Sequence, residues 1–421
     1  MTLAQIAIRN CFRHRARSLI TLSAIAVGCV TLIFVGAFFE DMFYKMRESY
    51  IKGHTGHLQI YRRGFFEHGN ARPFDYLIEH AQEITALLAH MDSIHSVTSR
   101  LEFAGLLSTG ENTVACLAQG VEPQHEPSIR LQQLSEARRD LPSLGGLVVE
   151  AGEPLTDAQP YSVILGRGLA AGLGANVGDG LIVVGHTVGG SINALDVNVA
   201  GIFFTSAKAF DDRALRLPLP TAQRLLQTDA VQSLVVMLKR TDDTPRIKTA
   251  LQELFRSRRL DLDVKSWDEL SDFYVKTRQL FGRMFFVLKL VIALIVILSI
   301  YNTMTMAVLE RVTEIGTLRA LGTTQRDIRR LFLLEGAVLG CVGGAVGVIA
   351  GIVVTLIVRH IGIPMPPPPG ATMTWISEPL LAPPMLLLAF VLSLITAIIS
   401  SVQPAYAASR LEIAQALRHT T

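Results

Sequence analysis

"LVIALIVILSIYNTMTMAVLERVTEIGTLRALGTTQRDIRR", Leu290 to Arg330, opens with 20 uncharged residues and then turns abruptly into charge. A run of about 20 apolar residues is the length that spans a bilayer as a helix. Three other uncharged runs have comparable length: Leu19 to Phe39, Gly336 to Val358 and Leu380 to Val402. Only 18% of the 421 residues are charged, where soluble domains average about 25%. These features predict a membrane protein with four transmembrane helices. The first run is too long for a cleavable signal sequence and is read as a retained anchor.

Arginine and lysine near the ends of spans set orientation. Arg9, Arg13, Arg15 and Arg17 precede the first run with no acid among them, and Arg311, Arg319, Arg326, Arg329 and Arg330 follow the second. Arg410 and Arg418 follow the fourth, while the segment between the third and fourth runs holds one arginine and many prolines. All three basic segments are cytoplasmic at once if both termini lie inside. The expected order is a cytoplasmic or interfacial helix 1–18, a span 19–39, an external domain 40–282, a span 283–309, a cytoplasmic segment 310–330, a span 331–358, a short outer loop 359–379, a span 380–402 and a cytoplasmic tail 403–421. "PMPPPPGA", Pro364 to Ala371, reads as a stiff extended connector in that loop.

The external region predicts a large α/β (α+β) domain inserted between the first two spans. Strands are expected at Gly56–Tyr61, Tyr161–Gly166, Leu181–Val188 and Ser233–Lys239, with a hairpin over Glu102–Val121 turning at Gly110-Glu111-Asn112. Helices are expected at Tyr76–His90, Thr221–Gln227 and Pro245–Arg258, the last with a proline in its first turn. This alternation argues for compact α/β subdomains and against a β-barrel. Ser266–Phe281 reads as a helix running straight into the second span.

Chemistry is sparse. No GxxxxGK[ST] phosphate loop exists, and no lysine follows a glycine anywhere in the chain. "GRGLAAGLG", Gly166–Gly174, has its third glycine out of dinucleotide register and reads as a strand-to-helix turn. His54 and His57 lack a third ligand nearby, so a surface or hydrogen-bonded pair is expected in place of zinc. Cys11, Cys29, Cys116 and Cys341 form no CxxC pair. No nucleophile–base arrangement stands out. No catalytic, cofactor-binding or metal residues are expected in this chain, and nothing calls for nucleic acid.

Three membrane features carry more. Leu3, Ile6, Ala7, Asn10 and Cys11 share a side of an N-terminal segment, which suits an interfacial helix or a plain basic flank. Gly336, Gly340 and Gly344, and again Gly343, Gly347 and Gly351, recur at four-residue steps that allow close helix approach, either to the chain's own spans or to a second copy. Asn302, Thr303 and Thr305 are candidates for hydrogen bonds between helices. In the charged segment, Ile315, Leu318 and Leu321 share a side of a short helix, Gly322 can end it in the left-handed conformation, and Thr324 with Asp327 forms a capping box that restarts a helix. An apolar edge flanked by charge suits docking; a folded loop lying at the interface is the other reading.

The residues "ERVTEIGTLRALGTTQRDI" closely resemble the segment between the second and third spans of MacB-type permeases, the FtsX-like superfamily of ABC transporters (type VII). The agreement runs through Glu310, Arg311, Glu314, Ile315, Gly316, Arg319, Ala320, Leu321 and Gly322. "RNCFRHRARSLITLSAIAVG", "VILGRGLAAGLGANVGDGLIVV" and "PAYAASRLEIAQALRH" are similar to other family segments. Within the superfamily the chain looks most like the lipoprotein-releasing LolC/LolE type. The resemblance implies that these nine residues, with Leu318 among them, form a coupling helix seated in a separate cytoplasmic ATPase. ATP and Mg would be bound on two copies of that ATPase, so the chain itself is no enzyme. It also implies mechanotransmission to the external domain, a second permease copy or paralogue, contact with membrane lipid, and a lipoprotein or periplasmic partner in a bacterial inner membrane. The alternative from the same superfamily is a regulatory protein that controls a periplasmic enzyme.

Overall fold

The computed structural model describes residues 7, 9, 15–69, 71–125, 128–130, 147–205, 207–366 and 375–413. The expected interfacial helix, most of the proline run and the end of the closing motif lie outside the described residues. The chain divides into two compact units, one of Met1–Phe43, Thr277–Ile363 and Ser377–Thr421, the other of Tyr44–Lys276 and Pro364–Ile376. Single-turn helices are left unlabelled below.

Helix α1 (Arg15–Tyr50) enters the second unit and closes in a π-turn, Ile51–Thr55, ended by Gly56 at φ +64. There follow β1 (Leu58–Arg62), α2 (Ala81–Ala89), β2 (Ile94–Ser108), β3 (Thr113–Val121), β4 (Ser128–Arg130), β5 (Leu147–Gly152), β6 (Ser162–Gly166) and α3 (Arg167–Leu173). The unit continues with β7 (Gly180–His186), β8 (Ile192–Phe204), β9 (Ala214–Pro218), α4 (Leu219–Leu226), β10 (Ser233–Leu238), α5 (Thr244–Ser257) and β11 (Leu262–Ser266). The expected hairpin is β2–β3, in register from Leu101↔Gly120 to Ser108↔Thr113, with Gly110 at φ +90 in its turn. Only glycine takes that backbone without a Cβ penalty.

Two sets of pairings build the unit. The antiparallel series β11–β1–β10–β2 carries α2 and α5 on its flank, where Leu88, Leu251 and Phe255 are buried. Strand β2 then continues into a second series, β2–β3–β9–β6–β8–β7, and β7 pairs back onto β2. Six strands thus close on themselves around Phe103, Leu107, Val163, Leu165, Val183 and Leu215, all buried. Each such side chain contributes about 1.5–3 kcal/mol by leaving water. The α/β domain is present as expected, but the expectation against barrel-like closure is corrected by β8 and β9. The 13 residues of β8 pair with β7 along their first half and with β6 and β5 along their second. Its Asn193, Asp196 and Asn198 dilute the strand signal in the sequence.

The buried π-turn is capped from the sheet. Arg100 of β2 donates to the His54 carbonyl, Arg216 of β9 to that of Gly53 at 3.3 Å, and Gln59 of β1 to that of Thr55 at 2.8 Å. Carbonyls at a helix end need such donors once water is excluded. At the other entry, a capping box of Ser266 and Glu269 starts a single turn that breaks at Ser271, so the run is not straight as expected.

The first unit holds α1 up to Phe43, α6 (Asp272–Glu310) from Thr277 onward, α7 (Val312–Ala320), α8 (Gln325–Ile361) and α9 (Pro383–Ser409). Among the described residues four helices are long and apolar enough to cross a membrane: Ser18–Thr55, α6, α8 and α9. Asp41 of α1, fully buried, accepts from the Glu378 N–H at 2.9 Å and the Ser377 hydroxyl at 3.2 Å, which ties the α8–α9 connection to α1.

Candidate functional site

Helix α7 lies between two corners. The chain leaves α6 at Arg311, whose φ of −113 and ψ of 20 are not helical, and leaves α7 at Gly322, φ +96. The Gly322 N–H donates to the Arg319 carbonyl and the Thr323 N–H to that of Leu318, which closes the helix end. The Thr324 hydroxyl then accepts the Asp327 N–H at 3.2 Å and donates to the Asp327 carboxylate at 2.6 Å. The forward half of the expected capping box is therefore made; its return half is a hydroxyl–carboxylate contact, not a bond to the Thr324 N–H.

The apolar side of α7 is split. Ile315 is 3% exposed and packs with Val308, Ile328, Phe332, Ala405 and Ala408, while Leu318 is 41% and Leu321 80% exposed. At about 100° per residue, positions three apart step back about 60° each time. The stripe therefore drifts from the bundle at Ile315 to the surface at Leu321, so the exposed edge is Leu318 and Leu321 without Ile315. Glu310, Glu314, Ala320 and Gly322 are also exposed. Gly316 and Arg311 are buried. Arg319 is half-buried and donates to the Leu411 carbonyl beyond α9.

Arg311 forms an ion pair with Glu335 of α8, Nη1 to Oε1 at 3.0 Å, with both residues buried. From the sequence, Arg311 is one of the basic residues of the 310–330 segment and of the coupling residues, and Glu335 goes unremarked. The available signal was an acid standing between Leu334 and Gly336 in an apolar run.

The two glycine series face different neighbours. A Cβ on Gly340 would lie 2.6 Å from that of Ala397, and Gly336 and Gly344 approach Ser401 and Ser393, all on α9. A Cβ on Gly343 would lie 2.9 Å from Ile25 and one on Gly351 2.9 Å from Ile33, while Gly347 meets Cys29, all on α1. Thr303 bonds Thr21 of α1 at 2.6 Å; Thr305 bonds back to Tyr301 of its own helix, and Asn302 is exposed.

Elsewhere the structure places groups in ordinary roles. His57 is buried, its Nδ1 accepting from the Leu238 N–H and its Nε2 lying 3.1 Å from the Thr241 hydroxyl, which donates to Glu48. Burial pushes its pKa down to about 4, with Glu48 opposing. Burial pushes the Cys116 thiol up to about 11. Among the described residues no three histidine, cysteine or acidic side chains are placed to hold a metal. A Cβ on Gly168 would strike Asp212, which explains the Gly166–Gly174 turn by packing. A cleft of about 530 Å³ in the second unit is lined by Glu79, Glu83, Glu122, Asp157 and Asp229 among others.

Residues 18–254 match the MacB-like periplasmic core domain, and residues 286–413 the FtsX-like permease C-terminal domain. The chain is 27% identical over 223 residues to the lipoprotein-releasing system transmembrane protein LolC of Neisseria meningitidis, covering 49% of this chain and 53% of that one. It is 23% identical over 354 residues to LolC of Xylella fastidiosa, covering 80% and 81%. It is 28% identical over 280 residues to the uncharacterized ABC transporter permease MJ1507 of Methanocaldococcus jannaschii, covering 65% and 66%. The chain thus spans about half the length of the first of these relatives. Among solved structures, the periplasmic region of MacB from Actinobacillus actinomycetemcomitans aligns with a TM-score of 0.38 at 16% identity, over 53% of this chain and 94% of that one.

Proposed function

This chain belongs to the ABC transporter permeases that join a MacB-like periplasmic core domain to an FtsX-like C-terminal permease region, and from that premise we propose that it couples ATP hydrolysis on a separate cytoplasmic ATPase to movement of its external domain. The docking element is α7, held against the bundle through Ile315 and presenting Leu318 and Leu321 outward. The observation that carries the reading is Leu321. A leucine 80% exposed at a helix corner, beside the 41% exposed Leu318 and flanked by acids and arginines, offers a partner an apolar edge to cover. The orientation that places α7 in the cytoplasm puts both termini there and the external domain outside, in an inner membrane.

The cargo in this proposal is a lipoprotein or a lipid-linked molecule. The support is the name of the LolC relatives, one of them aligned over four-fifths of both chains. Two copies of the ATPase and a second permease, identical or paralogous, complete the assembly. The test is purification of the tagged full-length chain from native membranes in mild detergent, with mass spectrometry of what accompanies it and an ATPase assay. Recovery of an ABC ATPase together with a lipoprotein supports the proposal. Recovery of a periplasmic hydrolase without lipoprotein would replace the cargo reading with a regulatory one, and absence of any ATPase would end the coupling reading.

A further inference from the structure

Helix α7 is joined to its neighbours in the chain by two non-helical corners, at Arg311 and Gly322. A nine-residue helix hung between two corners would pivot under load unless side chains hold it. Three ties do so: Ile315 in its apolar cluster, Arg319 to the Leu411 carbonyl, and Arg311 to Glu335. The last differs from the other two. It starts at the corner itself, and it reaches the eleventh residue of α8 (Gln325 being the first), whose next residue, Gly336, sits directly against Ser401 of α9.

Two features make this tie costly and specific. Arg311 is 6% and Glu335 3% exposed, and taking two charges out of water is repaid only when geometry and further hydrogen bonds are good. Replacement by packed apolar side chains is often neutral or stabilising for the fold. A buried pair therefore points to a role in fixing one arrangement, and at this corner the arrangement it fixes is the angle of α7 on α8.

We infer that the Arg311–Glu335 pair is a positioning lock that makes α7 and α8 move as one body. A displacement of α7 then passes into the glycine-packed contacts of α8 with α9 and α1 and is not dissipated at the Arg311 corner. The inference rests on α7 being the driven element, as proposed above.

The test uses the full-length chain in lipid nanodiscs, in a cysteine-free background, with spin labels at the exposed positions Thr317 and Val346 and pulsed distance measurement between them. Wild type is expected to give a narrow distribution without any partner, Glu335→Gln and Arg311→Lys broad ones, and the exchanged pair Arg311→Glu/Glu335→Arg a narrow one again. Arg311→Lys keeps the charge but loses the planar fork, so it reads out the lock even if the neutral variant fails to accumulate. The second readout is the ATP-dependent shift of a label pair in the external domain of complexes carrying the co-purified ATPase. Glu335→Gln should lose that shift while retaining the bound ATPase, and the exchanged pair should recover it. Narrow distributions in both single variants and a full shift in Glu335→Gln would overturn the lock. An absence of ATPase from wild type would instead count against the coupling proposal, leaving the distance result to stand on its own.

Discussion

A Cβ on Gly347 would stand 2.5 Å from the Cβ of Cys29 and 3.0 Å from the Cα of Ala26, so α8 and α1 meet with no space for a side chain. In a bilayer the apolar effect does not drive helices together, and close backbone approach is what holds them. Gly347→Val should therefore separate the helices and cost about 1–3 kcal/mol, the range for overpacking. Val346, next in the chain and 52% exposed, provides the control, since Val346→Leu adds volume where nothing opposes it. Thermal unfolding in detergent should separate the two variants; equal midpoints would show that the contact contributes nothing.

Leu321 is 80% exposed and Ile315 3%, and that difference makes opposite predictions for the same substitution. Leu321→Asp changes a surface position and should shift stability by no more than about 0.5 kcal/mol, yet abolish co-purification of the ATPase. Ile315→Asp places a carboxylate among Val308, Phe332 and Ala405, where an uncompensated charge costs about 3–5 kcal/mol, and should reduce the folded yield. Retention of the ATPase by Leu321→Asp would rule out the docking role of α7.

The four spans were legible because a run of about 20 uncharged apolar residues matches the hydrocarbon thickness of a bilayer and exceeds what a buried core helix needs. So was the α7 corner, because glycine and the Thr324–Asp327 spacing are local signals. Much of what the sequence hid was a matter of partners. The glycine steps announced close packing, but nothing in them says that Gly340 meets α9 while Gly347 meets α1. Arg311 resembled its charged neighbours, since the acid that draws it inward lies 24 residues away. Strand β8 was missed for a different reason. Its Asn193, Asp196 and Asn198 lie in a strand whose buried residues alternate with exposed ones, and a polar face lowers the local β-branched content below that of β6 or β10.

Gly322 takes φ +96, and a Cβ built there would meet nothing within 4 Å. Substitution should therefore act through the backbone alone, with Gly322→Ala costing about 1–2 kcal/mol. Gly322→Asn should cost less, because asparagine's short polar side chain tolerates that region. If alanine and asparagine are equally damaging, the position matters for contact with a partner and not for its conformation. Unfolding midpoints, paired with ATPase co-purification, distinguish the two.

His57 predicts a pH dependence of the second unit. Its pKa is lowered to about 4 in the fold, against about 6.5 for an exposed histidine. Between those values the unfolded chain binds a proton that the folded chain does not, so stability falls as pH drops from about 6.5 towards 4. Above 6.5 the contribution is complete and constant. His57→Asn keeps an acceptor for the Leu238 N–H but does not titrate, so its unfolding midpoint should decline less over that interval. Parallel profiles for the two proteins would show that carboxylates, not His57, control the acid limb.

The orientation gives the last prediction. Glu111 lies in the exposed turn between β2 and β3, and Thr317 on the exposed side of α7. Arginine and lysine beside the spans favour the cytoplasmic face, and Arg311, Arg319, Arg326, Arg329 and Arg330 surround α7. A cysteine at position 111 should react with a membrane-impermeant maleimide in intact cells, and one at 317 only after the membrane is opened. Native Cys341 is exposed on α8 and must be replaced first. Both test positions are open to solvent in the structure, so failure to label reports sidedness and not burial. Labelling at 317 from outside would invert the topology and with it remove the cytoplasmic ATPase from reach of α7.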